Sequence, residues 1–310
     1  MTESSAPTRA AKTNPLIHVV HVIVGALIGL AEMVPGVSGG TVALVTGIYE
    51  RAIKNGDALL HALRCLIGNR AEFKQAIQRI EWVFLITIGF GMIATVLSLS
   101  KVMHSFVEDS PHTARALFLG MVAVSLIVPL RMIDKADFAA KKIPAIALFI
   151  LAAVSIFILT GFTSAEKQNP SLIIIFFAAA IAVCALVLPG VSGSFMLLAM
   201  GLYQPVIGAV GDRDLRIIAV FALGAVCGLA FFIKTLKFLI TEHHTLTMAT
   251  MAGFMLGSLR ALWPWQTDTA QLLAPEGNVG WLVFMMVLGG VIAGGIMVLE
   301  RFTESEPHTV

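Results

Sequence analysis

Charge is what this sequence has least of. Charged residues make up 13% of its 310 residues and hydrophobic residues 57%, with a mean hydropathy of +0.89, whereas soluble domains carry roughly 25% charged residues. A core surrounded by water cannot absorb that much apolar surface, so the composition excludes an ordinary soluble protein and points to a polytopic membrane protein. A net charge of +2 gives no basis for a nucleic-acid partner. Cysteine is equally scarce: Cys65, Cys184 and Cys227 are scattered, form no metal-ligand or redox spacing, and read as small buried hydrophobes. No metal and no cofactor is expected. The polar stretch 1–15 runs into an apolar segment with no small-residue cleavage site, so no separable signal peptide is expected. Enzymatic signatures are missing too. No G-x-S-x-G, H-E-x-x-H, Walker lysine or dinucleotide fingerprint occurs, and the chain reads as a non-enzyme.

What is present is a series of apolar segments, 16–31, 82–100, 115–130, 143–162, 171–188, 217–240, 247–262 and 280–299, each near the length of a membrane span. Two shorter pieces, 37–49 and 191–203, follow proline-glycine breaks. Between residues 50 and 81 the apolar Leu59, Leu60, Leu63, Leu66 and Ile67 recur at helical spacing, which predicts an amphipathic helix on the membrane surface.

The breaks repeat. Residues 35–50 read PGVSGGTVALVTGIYE and residues 189–204 read PGVSGSFMLLAMGLYQ, identical at eight of sixteen positions with a constant offset of 154. A weaker echo at an offset of 133 pairs Gly120, Ser125 and Leu126 with Gly253, Ser258 and Leu259. Each half is thus one broken segment followed by three spans. If each broken segment is a re-entrant hairpin, 15 of the 21 Lys/Arg fall on the cytoplasmic side; if each crosses completely, only 8 do. The positive-inside rule favours hairpins. Three spans between the hairpins then make them enter from opposite faces, the inverted-repeat plan of secondary transporters.

The expected fold is all-α and polytopic, with two inverted repeats, each a re-entrant hairpin plus three transmembrane helices. A cytoplasmic tail (1–15) precedes the first repeat (16–162), which holds a hairpin at 16–49 and the linker at 50–81. The second repeat (163–299) has its hairpin at 171–204, and a cytoplasmic tail (300–310) follows. Both termini are expected in the cytoplasm.

Each break ends one helix near a proline and starts another near Ser38 or Ser192, residues suited to N-capping. Backbone N–H groups of Gly36, Gly39, Gly40 and Thr41, and of Gly190, Gly193, Ser194 and Phe195, would then favour an anion. With Pro35 and Pro189 shaping the turns, two such ends could bracket a phosphate or carboxylate; the bland alternative is glycines that only pack helices. Glu32, at the tip of the first hairpin, either takes up a proton in a transport cycle or braces the hairpin. Arg260 suits bidentate phosphate contact or snorkels beside Trp263 and Trp265; Arg115 is a weaker candidate of the same kind. Lys234 and Lys237 read as positive-inside anchors, His18 and His21 as helix-face residues, and His243 with His244 as a cytoplasmic loop.

The motifs Glu32-Met-Val-Pro-Gly-Val-Ser-Gly-Gly-Thr41 with Gly47-Ile-Tyr-Glu50, Leu188-Pro-Gly-Val-Ser-Gly-Ser194 with Gly201-Leu-Tyr203, and Gly257-Ser-Leu-Arg-Ala-Leu-Trp-Pro264 resemble the three ordered signatures of the PopT-type polyprenyl-phosphate translocases of bacteria. The likeness covers about residues 16 to 300. Glu32 departs from the pattern, which has aspartate there in many relatives; either carboxylate can carry a proton. The resemblance implies a polyprenyl phosphate, such as undecaprenyl phosphate, as the substrate. It also implies return of that lipid from the outer to the inner leaflet of the cytoplasmic membrane for peptidoglycan and other envelope glycan synthesis. The phosphate would sit between the paired turns, with alternating access and a proton or sodium as the candidate coupling ion. A small-anion transporter of the same architecture and, less favoured, a lipid phosphatase are the alternatives. Oligomeric state is left open.

Overall fold

The structure, a computed structural model, describes residues 15–33, 38–68, 70–162, 170–211, 213–267 and 269–304. Among them every regular element is a helix, and the β pairing is a single isolated bridge between Gln266 and Leu272. The first half runs α1 (Pro15–Glu32), α2 (Gly39–Val45), α3 (Tyr49–Gly68), α4 (Arg70–Gln78), α5 (Trp82–Asp109), α6 (Pro111–Ser125), α7 (Ile127–Met132), α8 (Lys135–Ala140) and α9 (Lys142–Leu159). The second runs α10 (Leu172–Val187), α11 (Gly193–Ala199), α12 (Tyr203–Gly211), α13 (Leu215–Glu242), α14 (His244–Ser258) and α15 (Val279–Glu304).

Five helical stretches are long and apolar enough to cross a membrane: Trp82–Asp109, Pro111–Met132, Lys142–Leu159, Leu215–Glu242 and Val279–Val298. Their outward faces are apolar. On α5, Ile86, Phe90, Ile93 and Leu97 follow one another at helical spacing, all well exposed, Leu97 at 78%. Water would not tolerate such a stripe; lipid does. The segments expected at 16–31 and 171–188 are the shorter helices α1 and α10, of 18 and 16 residues. At 1.5 Å per residue these reach about 24–27 Å, short of the ~30 Å hydrocarbon layer. The span expected at 247–262 differs more. Helix α14 is only 15 residues and is enclosed by protein, with Met248, Ala252 and Met255 fully buried, because a helix apolar all round can be wrapped by neighbours. The surface linker is two helices, α3 and α4, closed on each other over Ala62, Cys65, Ala76 and Ile80. Leu59, Leu63 and Leu66 remain exposed.

Several helices of the two halves match in length and partner. Helices α2 and α11 have seven residues each, α6 and α14 fifteen, α5 and α13 twenty-eight. Helix α1 lies along α5 as α10 lies along α13; α6 lies along α15 as α14 lies along α9. Between apolar helices in lipid there is no hydrophobic drive to associate, so close van der Waals approach through small residues must supply it. Each pair has it: Gly25 faces the backbone of Ile88, Gly228 that of Ala180, Gly120 that of Met286 and Gly253 that of Phe149. The central core gathers Ile28, Leu44, Tyr49, Leu236, Met251 and Met255 around the short helix α2.

Packing of this kind discriminates between glycines on comparable helices. A Cβ on Gly120 would overlap the Met286 carbonyl, whereas one on Gly89 meets nothing within 4 Å. Gly120→Ala should therefore lower the thermal unfolding midpoint in detergent, at a cost of about 1–3 kcal/mol. Gly89→Ala should leave it unchanged or raise it, since alanine is favoured in helices by about 1 kcal/mol. Equal shifts would show that close approach is not what holds α6 to α15.

Candidate functional site

Proline sets the second break. Its ring forces the preceding residue out of the helical region, and Leu188 is accordingly extended (φ −73°, ψ 131°). Gly190 then takes φ +81°, a conformation open to glycine, and its Cα rests so near Met255 that a Cβ would come within 2.6 Å of the Met255 Cα. Ser192, extended, caps α11: its Oγ accepts the Phe195 N–H (3.4 Å) and shares a hydrogen bond with Ser194 Oγ (2.9 Å). In the first break Ser38 does the same for α2, accepting the Gly40 N–H at 3.1 Å, and its carbonyl receives the Thr41 N–H at 2.9 Å. Both short helices end alike. Gly47 (φ +67°) and Gly201 (φ +69°) are left-handed just past the C-caps. Pro35 and Gly36 lie outside the described residues.

The two breaks touch. Thr41 Oγ1 accepts the Gly190 N–H at 2.9 Å; Ser38 Oγ lies 3.1 Å from the Leu188 carbonyl, to which it donates; Tyr49 Oη donates to the Val187 carbonyl at 3.1 Å. Gly40 permits the approach, for a Cβ there would come within 2.6 Å of the Val187 carbonyl oxygen. So Ser38, Gly40 and Thr41 meet Val187, Leu188 and Gly190, on either side of Pro189, at one point in the protein interior, and Gly39, Gly193 and Ser194 occupy the first turns of the two helices that start there.

Glu32 has a defined place. Its Oε1 accepts the Gly39 N–H at 2.8 Å, putting a carboxylate at the N-terminus of α2, where the helix dipole favours it. Five of the eight N–H groups read as anion-facing therefore donate within the protein in this conformation: those of Gly39, Gly40, Thr41, Gly190 and Phe195.

Arg260 sits away from the meeting point. Its Nη1 donates to the Phe157 carbonyl (2.8 Å) and its Nη2 to that of Ala270 (3.4 Å), its plane lies over the Phe157 ring, and its Nε is buried without a partner. Gly161 is packed against the guanidinium. The neighbouring Thr160 lines a narrow crevice of only about 10 Å³, shared with Gly190, Ser192, Phe195, Ser258 and Ala261. The arginine thus stands beside the wall opposite the second turn.

Sequence reasoning missed a polar network where α1, α3 and α5 meet. Arg51 Nε donates to Glu81 Oε2 (2.9 Å), its Nη1 lies 3.2 Å from His21 Nε2, and its Cζ is 4.3 Å from the Phe84 ring centre. Buried Asn55 donates to Glu81 Oε1 (3.0 Å) and accepts the Glu81 N–H (2.8 Å). The one sequence signal was the Arg51/Asn55 helical spacing; Glu81, thirty residues on, shares no periodicity with them.

The family model described as VCA0040-like, undecaprenyl phosphate translocase-like, matches residues 28–280. The chain belongs to this family. A polyprenyl-phosphate transporter of Vibrio cholerae is 34% identical over 260 residues, covering 82% of this chain and 80% of that protein. One of Staphylococcus aureus is 29% identical over 296 residues, covering 86% and 91%. No solved structure gives a significant match. Family membership and the five crossing-length helices together make this a polytopic helical membrane protein, and the matched region spans both breaks and Arg260.

Two outcomes follow from this geometry. Thr41→Val keeps the shape but strands the buried Gly190 N–H, which should cost about 1–3 kcal/mol of stability, while Thr41→Ser should retain it. Identical unfolding midpoints for all three proteins would show that this bond does not join the breaks. The Arg51 guanidinium, hydrogen-bonded to Glu81, holds that carboxyl below its usual range, against the opposing effect of burial. Its contribution is therefore complete above the ordinary glutamate pKa of about 4.3 and is lost as pH falls through the depressed value. The stability gap between the native protein and Glu81→Gln should close on acidification, and a gap constant with pH would refute the assignment.

Proposed function

We propose that this protein carries undecaprenyl phosphate, or a related polyprenyl phosphate, from the outer to the cytoplasmic leaflet of the bacterial cytoplasmic membrane, returning the lipid carrier to envelope glycan synthesis. The observation that carries the reading is the meeting of two repeated turns (Thr41 to Gly190) in a chain whose relatives are named polyprenyl-phosphate transporters. In this proposal the halves are inverted repeats, the broken segments are re-entrant, and the termini are cytoplasmic. The distribution of Lys and Arg and the matched helix partners of the two halves support it. Irregular backbone at membrane depth is tolerated where protein buries it, and Ser38, Thr41, Pro189 and Ser192 are buried.

The phosphate head-group is held between the turns by Ser38, Gly39, Gly40, Thr41, Ser192, Gly193 and Ser194, with Pro35, Gly36, Pro189 and Gly190 shaping them and Arg260 approaching from the crevice's far side. The isoprenoid tail stays in lipid. Because Glu32 already satisfies the Gly39 N–H, an arriving phosphate competes with this carboxylate. Protonation of Glu32 weakens the internal contact and favours the ligand, which supplies a route to proton coupling.

The decisive experiment follows a fluorescent polyprenyl phosphate between leaflets of liposomes holding the purified protein, with inorganic phosphate monitored in parallel. The native protein should move the lipid and release no phosphate. Ser38→Ala with Ser192→Ala should slow movement by about ten-fold or more, on the scale of one lost polar contact. Glu32→Gln should flatten the dependence of the rate on pH. Phosphate release would replace a translocase with a phosphatase; no movement by folded protein would overturn the substrate.

A further inference from the structure

Away from the turns, a cavity of about 350 Å³ opens between the α3–α4 hairpin and the C-terminal third of α13. Five fixed cations line it, Lys54, Arg64, Arg79, Lys234 and Lys237, together with His61, against one carboxylate, Asp57. That carboxylate is already engaged, 2.6 Å from Lys237 Nζ. Lys54 has Glu50 at 3.7 Å. Among the described residues no carboxylate lies within ion-pairing distance of Arg64, Arg79 or Lys234. Three unmatched cations from three elements therefore share one concavity.

The fold builds this space. Ala62, Cys65, Ala76 and Ile80 close the hairpin, Gly56 lets α3 lie against Ile233 of α13, and the Lys237–Asp57 pair ties the two together. The remaining wall residues include Ala58, Ala76 and Ala230, whose short side chains leave the volume open. Helix α13, 28 residues and about 42 Å long, overreaches a hydrocarbon layer of about 30 Å, so its lysine-bearing end lies at the bilayer boundary. Leu59, Leu63 and Leu66 are exposed on another face of α3, giving the hairpin an apolar surface with which to rest on lipid.

Like charges gathered in one concavity raise the local concentration of anions. Two guanidinium forks prefer phosphate oxygens, which they can grip in pairs. The volume is that of a small-ligand pocket. We infer that this cavity is a second anion site, which binds a multiply charged phosphate group, either a phosphomonoester lipid head-group at the membrane surface or a free phosphate compound. It shares no residue with the paired turns and does not depend on what they bind.

The test uses full-length protein in nanodiscs of phosphatidylcholine. One arm titrates inorganic pyrophosphate and reads the unfolding midpoint; the other adds phosphatidic acid to the bilayer and reads retained lipid by native mass spectrometry. The native protein should bind at least one probe. Arg64→Ala with Arg79→Ala should weaken binding by about ten-fold or more, whereas Lys135→Ala with Lys142→Ala, which removes the same charge elsewhere, should not. Arg64→Lys with Arg79→Lys guards against misfolding and should fall between. A response to pyrophosphate alone identifies a free anion as the source, retention of phosphatidic acid alone identifies a lipid, and either supports the site. Binding unchanged in the double alanine variant, equal loss in the Lys135/Lys142 variant, or no binding of either probe by folded protein would overturn it.

Discussion

The join between the two breaks answers to one constraint: a helix interrupted in the protein interior exposes backbone groups that no water can satisfy. An ordinary span has no such problem, because its N–H and carbonyl groups bond within the helix. Here α1 and α10 end where α2 and α11 are about to begin, leaving carbonyls at their C-termini and N–H groups at the starts of α2 and α11. The protein meets the deficit by joining the two breaks. Ser38 and Tyr49 from the first donate to the carbonyls of Leu188 and Val187 at the end of α10, and Thr41 accepts from Gly190. Neither break is completed by local residues alone. The halves need each other at the atomic level.

That dependence explains the glycines. For Thr41 to reach Gly190, α2 must lie against residues 186–190 closely enough that Gly40 has no space for a Cβ. The helices that carry the breaks must be held equally near their supports, and α1 on α5 and α10 on α13 meet through Gly25, Gly91, Gly224 and Gly228. The same rule governs α6 on α15 and α14 on α9. A fold assembled from backbone-to-backbone contact is rigid within each pair. It can rearrange where the pairs meet through side-chain hydrogen bonds, and the breaks are such a place.

The sequence disclosed whatever has a local or periodic cause. Apolar run length marked the long helices. Proline and glycine marked the breaks, and Ser38 and Ser192 marked the caps. The repeat predicted equivalent turns, which Gly47 and Gly201 satisfy with nearly the same φ. Contacts between distant segments left no comparable trace. The Thr41–Gly190 bond joins residues 149 apart, and a threonine in an apolar helix gives no sign of its partner. Glu32 was legible as a carboxylate that carries a proton or caps and braces the hairpin, but its particular partner, the Gly39 N–H, was not, since the intervening loop sets its reach. Helix α14 looked like a span because hydropathy records what a helix is made of and is blind to what surrounds it; α9 and α7 lie against it, leaving little of its surface for lipid.

The placement of Glu32 bears on how a site of the proposed kind could release what it binds. A helix N-terminus holding an empty set of N–H groups at membrane depth would be costly without a ligand, and the apo state would be poorly populated. A carboxylate from the preceding helix removes that cost. It also sits badly at the C-terminal end of its own helix, where the dipole disfavours negative charge, so the contact with Gly39 is a compromise rather than an optimum. A phosphate that displaces it exchanges one anion for another at the same N–H group, and the net free energy of exchange is far smaller than that of filling an unsatisfied site. In the proposed cycle, binding and release then differ by a modest amount, as a carrier requires of its cargo on both sides of the membrane, and protonation of Glu32 would tip the exchange.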